Sequence, residues 1–247
     1  MSQPPHEVDQ AEREAEREVE RNDEAPLERA RLVPLYPRWA TSAFRLVLLS
    51  ILLSLIAVPT FFIAWARTPY ATDASDPVSQ PVMFDHRHHT RDDGIDCRYC
   101  HYAVDRSPNA GVPATELCMN CHGQIWNQAP ILSQVRKSFF SKEPIRWTRV
   151  FNVPDFVFFN HAIHVNRNVG CVSCHGRVDL MGQVYMPMAM TMRWCLECHR
   201  APEEHLRPDE RITDMEWVPE RPAIEIGREI KAQKKIDPPT NCTACHR

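Results

Sequence analysis

Cysteine and histidine in a fixed order are the strongest chemical signal in this chain. All ten cysteines fall in five C-x-x-C-H motifs: Cys97/Cys100/His101, Cys118/Cys121/His122, Cys171/Cys174/His175, Cys195/Cys198/His199 and Cys242/Cys245/His246. None remains for a disulfide. Two cysteines three apart on a helical turn can each form a thioether with a haem vinyl group, and the next histidine then projects its imidazole at the iron. The motifs predict five covalent haem c groups, with His101, His122, His175, His199 and His246 as proximal iron ligands. Structural zinc also uses C-x-x-C pairs, but it needs two pairs per ion, so five would leave one over and every histidine unexplained. A thiol–disulfide relay would need a thioredoxin-like βαβ pattern, which is not found.

An iron that only shuttles electrons needs a sixth ligand. The duplicated pattern F-x-H-x-x-H, at Phe84 and again at Phe159, picks out His86, His89, His161 and His164 as candidates. Histidines three apart share a helical face and can reach two adjacent haems. His88 has Ile163 as its counterpart in the second copy and is not expected to ligate. Four distal histidines leave one haem unserved. The stretch Met181, Met186, Met188, Met190, Met192 runs into the fourth motif, and Met192 is the first choice as a thioether ligand. The other methionines are expected to pack against porphyrin. His205 is the rival ligand, and an open fifth haem is the remaining option.

The two F-x-H-x-x-H segments head two copies of one two-haem unit. The first reads FDHRHH, seven residues, a motif, sixteen residues and a second motif; the other reads FNHAIH, six residues, a motif, nineteen residues and a fourth. The fifth motif stands alone at the C-terminus. Between the copies, Ile131, Leu132, Val135 and Phe139 predict a helix, and Pro222 opens another that carries Ile226 and Ile230 and stops at Asp237.

Ahead of the motifs, Leu46 to Ala66 form 21 residues without a charge, about 31 Å as a helix and enough to span a bilayer once. Tyr36, Trp39, Trp65 and Tyr70 flank it as interfacial anchors, and Pro59 is a candidate kink. Arg29, Arg31, Arg38 and Arg45 precede it and Arg67 follows, which predicts a cytoplasmic N-terminus and extracytoplasmic haems. A cleaved signal peptide is the competing reading, but the apolar run is long and the preceding residues are acid-rich. The span has no ionisable group and so no proton relay of its own. Residues 1–31 hold ten acids and five arginines and read as a solvated tail, with Arg13, Arg17 and Arg21 at helical spacing.

The fold expected is a small, mainly α or irregular multihaem cytochrome c with a haem-dominated core and one N-terminal transmembrane helix. From Thr68 to Arg247 there are roughly 36 residues per motif, fewer than a chain normally needs for a core of its own. The organisation expected is a charged, disordered tail (1–40), the span (41–67), a linker (68–83), the first two-haem unit with its connector (84–158), the second (159–205), and a C-terminal segment with the fifth haem (206–247). With a net charge of -3, no nucleic-acid partner is expected.

Together the five motifs, both F-x-H-x-x-H units and the strings IDCRYCH, CMNCHGQIW, FNHAIHV, CHGRVD and RWCLECHR resemble the pentahaem membrane-anchored cytochrome c subunit of alternative complex III, a quinol-oxidising bacterial respiratory complex. The pattern is similar more broadly to class III multihaem cytochromes. The resemblance implies bis-His ligation through His86, His89, His161 and His164, and a Met-ligated haem at Met192. It also implies a bacterial inner-membrane location and several partners: polytopic quinol-binding subunits, an iron-sulfur subunit, a monohaem cytochrome c and a terminal oxidase. The expected role is an electron wire without catalysis of its own. A quinol-dehydrogenase anchor of a periplasmic reductase and a catalytic multihaem enzyme of the nitrite or hydroxylamine type are the rival readings.

Overall fold

The computed structural model describes residues 13, 14, 16–18 and 36–246, which divide into two compact units between Ile63 and Ala64. Arg13, Glu14 and residues 16–18 are helical; Arg21 and the rest of the expected tail lie outside the described residues.

Helix α1, Arg38–Trp65, is long and apolar enough to cross a membrane. It starts directly after Pro37 and ends before Pro69, so it begins three residues earlier and stops two residues sooner than expected. Pro59 lies within it and removes one backbone donor, while the Thr60 hydroxyl donates to the carbonyls of Ile56 (2.8 Å) and Ala57 (3.0 Å).

The second unit is built from short helices: α2 (Pro69–Thr72), a π-helix (Arg87–Asp92), α3 (Cys97–Cys100), α4 (Thr115–His122), α5 (Ser133–Ser141), α6 (His161–Asn166), α7 (Val172–His175), α8 (Met192–Arg200), α9 (Ala223–Gln233) and α10 (Cys242–Cys245). Single turns of 3-10 helix join them. Among the described residues there is no strand beyond two isolated bridges, Val157 with His246 and Val169 with Leu206. The helices expected around Ile131–Phe139 and after Pro222 are both present, as α5 with its preceding 3-10 turn and as α9.

The hydrocarbon core made by side chains alone is small. Leu206, Ile230 and Ile236 form its centre, with Val169 and Ile226 packed against them. Residues 68–83, ahead of the first repeat, are hydrogen-bonded to later parts of the chain. Ser75 and Val78 donate backbone bonds to Met186 (2.6 Å) and Val184 (3.1 Å), Gln80 exchanges two 2.8 Å bonds with the backbone of Thr148, and Ala74 and Val82 are buried. Met181 and Met186 are buried as well.

One buried polar residue fixes the turn between α6 and the third motif. Asn168 is 1% exposed, has φ 65°, and its amide donates to the Arg207 carbonyl and to Asp209 Oδ1, each at 2.7 Å. Asparagine tolerates this left-handed conformation better than most residues. Asn168→Ala should therefore destabilise the protein by about 1–3 kcal/mol by leaving a buried carbonyl without its donor. Thermal unfolding of the two proteins checks this.

Candidate haem-binding centres

The C-x-x-C-H motifs fall on short helices, three of which are started by a capping side chain. Asp96 accepts from the Arg98 amide (2.8 Å), Thr191 from Trp194 (3.3 Å) and Asn241 from Ala244 (2.9 Å), which starts α3, α8 and α10. Asn160 caps α6, the helix of the second F-x-H-x-x-H unit, by accepting from Ile163 (3.4 Å). A cap of this kind stabilises a short helix by roughly 1 kcal/mol. None of the ten cysteines is paired in a disulfide. Burial raises Cys100, Cys118, Cys195 and Cys198 and pushes Cys174 up to about 12, while hydrogen bonding to Cys171 raises Cys97. That last contact brings the first motifs of the two repeats together.

The imidazoles are oriented by backbone. Nδ1–H donates to a carbonyl oxygen in six rings: His89 to Asp85 (2.9 Å), His101 to Gly111 (2.8 Å), His122 to Ile125 (3.1 Å), His161 to Pro108 (3.0 Å), His164 to Asn160 (2.7 Å) and His199 to Pro239 (2.7 Å). Such a bond fixes the tautomer, so Nε2 keeps its lone pair for a metal. His86 is an exception: its Nδ1 is buried without a partner. Burial, with the charges of His101 and His89 adding to it, lowers His86 to about 4; burial likewise lowers His175 to about 4 and lowers His164. Burial thereby favours the neutral ring in all three, the form a metal ligand requires.

Ring spacing agrees with this orientation. His89 faces His122 with centroids 6.1 Å apart, His161 faces His175 at 6.3 Å and His164 faces His199 at 6.1 Å. Two imidazoles bound on opposite sides of one metal, each by a bond of about 2 Å, place their ring centres roughly 6 Å apart. The donor set, its neutrality and its spacing therefore fit haem iron. His86 lies near enough to His101 for the charge of His101 to add to burial in lowering it.

Phenylalanine repeats its role in both copies. Phe84 stacks on His89 (4.4 Å, 24°) and meets His86 edge-on (4.8 Å, 83°); Phe159 stacks on His164 (4.7 Å, 26°) and meets His161 edge-on (4.7 Å, 86°). Each phenyl ring contacts both imidazoles of its own F-x-H-x-x-H unit, one by stacking and one by its edge. Sequence reading used these residues only as markers of the repeat.

Around the fifth motif, Val157 bridges to His246, Phe158 N–H donates to the Cys245 carbonyl (2.8 Å), and Phe156 lies 5.7 Å from the His246 ring. Met192 is the first residue of α8 and is 65% exposed. Its counterpart Thr115 is buried and hydrogen-bonds Ser138 (2.7 Å). His205 ends a 3-10 turn, where its carbonyl accepts from Gly170 (3.0 Å).

Comparison with known proteins agrees with this chemistry. Residues 64–146 match the class III cytochrome C family, and residues 157–247 match cytochrome c7 and related cytochrome c. The chain is 34% identical over 97 residues to the menaquinone reductase multihaem cytochrome c subunit of Nitratidesulfovibrio vulgaris, covering 39% of this chain and 45% of that one. It is 39% identical over 61 residues to cytochrome c-552 of Porphyromonas gingivalis, covering 22% of this chain and 12% of that one. The matched regions thus span less than half the length of either relative.

Phe159→Leu should remove both ring contacts at once. The expected outcome is a loss of about 0.5–1.5 kcal/mol in thermal stability, unchanged haem content by pyridine haemochrome, and altered electron paramagnetic resonance signals from two low-spin centres.

Proposed function

Taking the chain as a multihaem cytochrome c with class III segments, we propose that it is the five-haem electron-transfer subunit of a membrane quinol-oxidising complex of the alternative complex III type. The observation that carries this reading is the set of opposed imidazole pairs held 6.1–6.3 Å apart. Two protein ligands on an iron leave no position for a substrate, which favours relay over catalysis. Haem, when bound, supplies the one-electron iron couple, and the residues set where it sits and what surrounds it.

In this assignment His101 pairs with His86, His122 with His89, His175 with His161, and His199 with His164. His246, the one proximal histidine left without a distal histidine, is assigned Met192, the last methionine before the fourth motif. Helix α1 anchors the chain, with its arginine-rich end in the cytoplasm and the motifs outside. Its partners are polytopic quinol-binding subunits, an iron-sulfur subunit, a monohaem cytochrome c and a terminal oxidase. This chain passes electrons onward and has no reaction of its own.

The relative named for menaquinone reduction favours a second reading, in which the same relay runs towards quinone. Potentiometric titration separates the two: centres mostly above the quinone couple support quinol oxidation, and centres mostly below it support quinone reduction.

Two measurements test the proposal. Mild detergent extraction should co-purify polytopic membrane subunits, and the isolated subunit should not be reduced rapidly by a quinol analogue; rapid reduction by the subunit alone would overturn it in favour of a self-sufficient anchor cytochrome. Met192→Leu should convert a single low-spin centre and leave the others unchanged by electron paramagnetic resonance. A wild-type spectrum with substantial high-spin signal would support the catalytic alternative.

A further inference from the structure

The two repeats are not equal, and the difference lies at one pair of imidazoles. Seven residues separate His89 from Cys97, whereas six separate His164 from Cys171. The second copy forms an ordinary α-helix, α6; the first forms a π-helix over Arg87–Asp92, with the Asp93 amide donating to the His88 carbonyl at 3.0 Å. One extra residue inside a helical turn is what a wider π-turn accommodates. The added residue's turn holds His88, which lies between the two distal histidines.

His88 is in turn part of a closed circuit of contacts. Its ring lies parallel to Trp126 (5.7 Å, 12°) and edge-on to its neighbour His89 (5.4 Å, 80°). His89 faces His122 (6.1 Å), and His122 Nδ1–H donates to the carbonyl of Ile125, the residue before Trp126. Trp126 has φ 55°, a left-handed conformation that a bulky residue adopts only when its surroundings impose it. The loop beyond it is fastened to α5 by Arg136 Nη1, which donates to the carbonyls of Asn127 (2.7 Å) and Ala129 (2.9 Å). On its other side His88 is flanked by Asp92 (3.9 Å) and Asp93 (3.6 Å). In the second copy Ile163 stands in place of His88, and Glu203 stands five residues beyond Cys198, where Trp126 stands beyond Cys121. His199 is held there by the distant Pro239 carbonyl instead.

We propose that Trp126 and His88 form an aromatic clasp that ties the segment bearing His122 to the helix bearing His89, making them positioning residues for the centre those two histidines share. The clasp fixes the separation and relative twist of the two imidazoles from the edge of the site. It is particular to the first repeat. The inference rests on the ligand pairing proposed above.

The test uses the full-length, haem-loaded protein in detergent with three variants: Trp126→Leu, Trp126→Phe and His88→Ile, the last placing in the first repeat the residue found in the second. Trp126→Leu and His88→Ile should each shift one low-spin electron paramagnetic resonance signal of the oxidised protein and admit carbon monoxide to one centre of the reduced protein. Trp126→Phe, which keeps a ring to stack, should restore the parent behaviour. His88 is half-exposed, so its replacement tests the clasp even if Trp126→Leu folds poorly. The clasp is overturned by Trp126→Leu and His88→Ile spectra identical to the parent, by Trp126→Phe as disturbed as Trp126→Leu, or by changes spread evenly over all centres. A parent protein that itself binds carbon monoxide readily would remove the ligand pairing; a fully low-spin parent with undisturbed variants would remove the clasp alone.

Discussion

A carbonyl oxygen opposite the Nδ1–H of an imidazole is the contact on which the rest of this protein depends. It decides which nitrogen carries the proton and the direction in which the other points. Two of these acceptors, at Asp85 and Asn160, lie four residues before the histidine and come with the helical turn itself. Others come from loops that the chain must first bring into place, such as Pro108 for His161 and Pro239 for His199. Short helices with capped starts, a small side-chain core and fastened loops make sense as devices for delivering these carbonyls. The docking of α6 shows this: His161 and Ala162 donate backbone bonds to Pro108 and Ser107, each at 3.2 Å, and Asn166 donates to the Asp105 carbonyl (2.9 Å), all on the loop that follows the first motif.

What could be read from sequence follows from how local each interaction is. The cysteines, their adjacent histidines and the F-x-H-x-x-H pairs were legible because each unit spans one or two turns. The helix after Pro222 and the one around Val135 were legible from apolar spacing. Asn168 was not, because nothing in its type or neighbours announces that Arg207 and Asp209 will close over it. Backbone acceptors such as the Pro108 carbonyl have no residue-type signature at all. The unequal spacers after His89 and His164 were in plain view, but their structural meaning depends on how the extra residue is absorbed. The ties of residues 68–83 have no signature either: Ser75, Val78 and Gln80 use backbone and amide bonds to distant parts of the chain, which composition does not reveal.

Comparison of the two repeats shows how much of the arrangement is inherited and how much is individual. The phenylalanine wedge is the same in both to within a few tenths of an ångström and a few degrees. The residues three before the second cysteine pair of each repeat have gone separate ways, Thr115 into the interior and Met192 to the surface. Duplication supplied a scaffold for holding rings, and substitution at its margins changed what surrounds them.

The π-turn has a further implication for the molecule as a conductor. Two identical halves would offer a travelling charge no reason to favour one end, because each site in one half would have an equal in the other. Adding a single amino acid to one half breaks that equivalence without disturbing the shared scaffold. Direction in such a chain can thus originate in an insertion no longer than one codon.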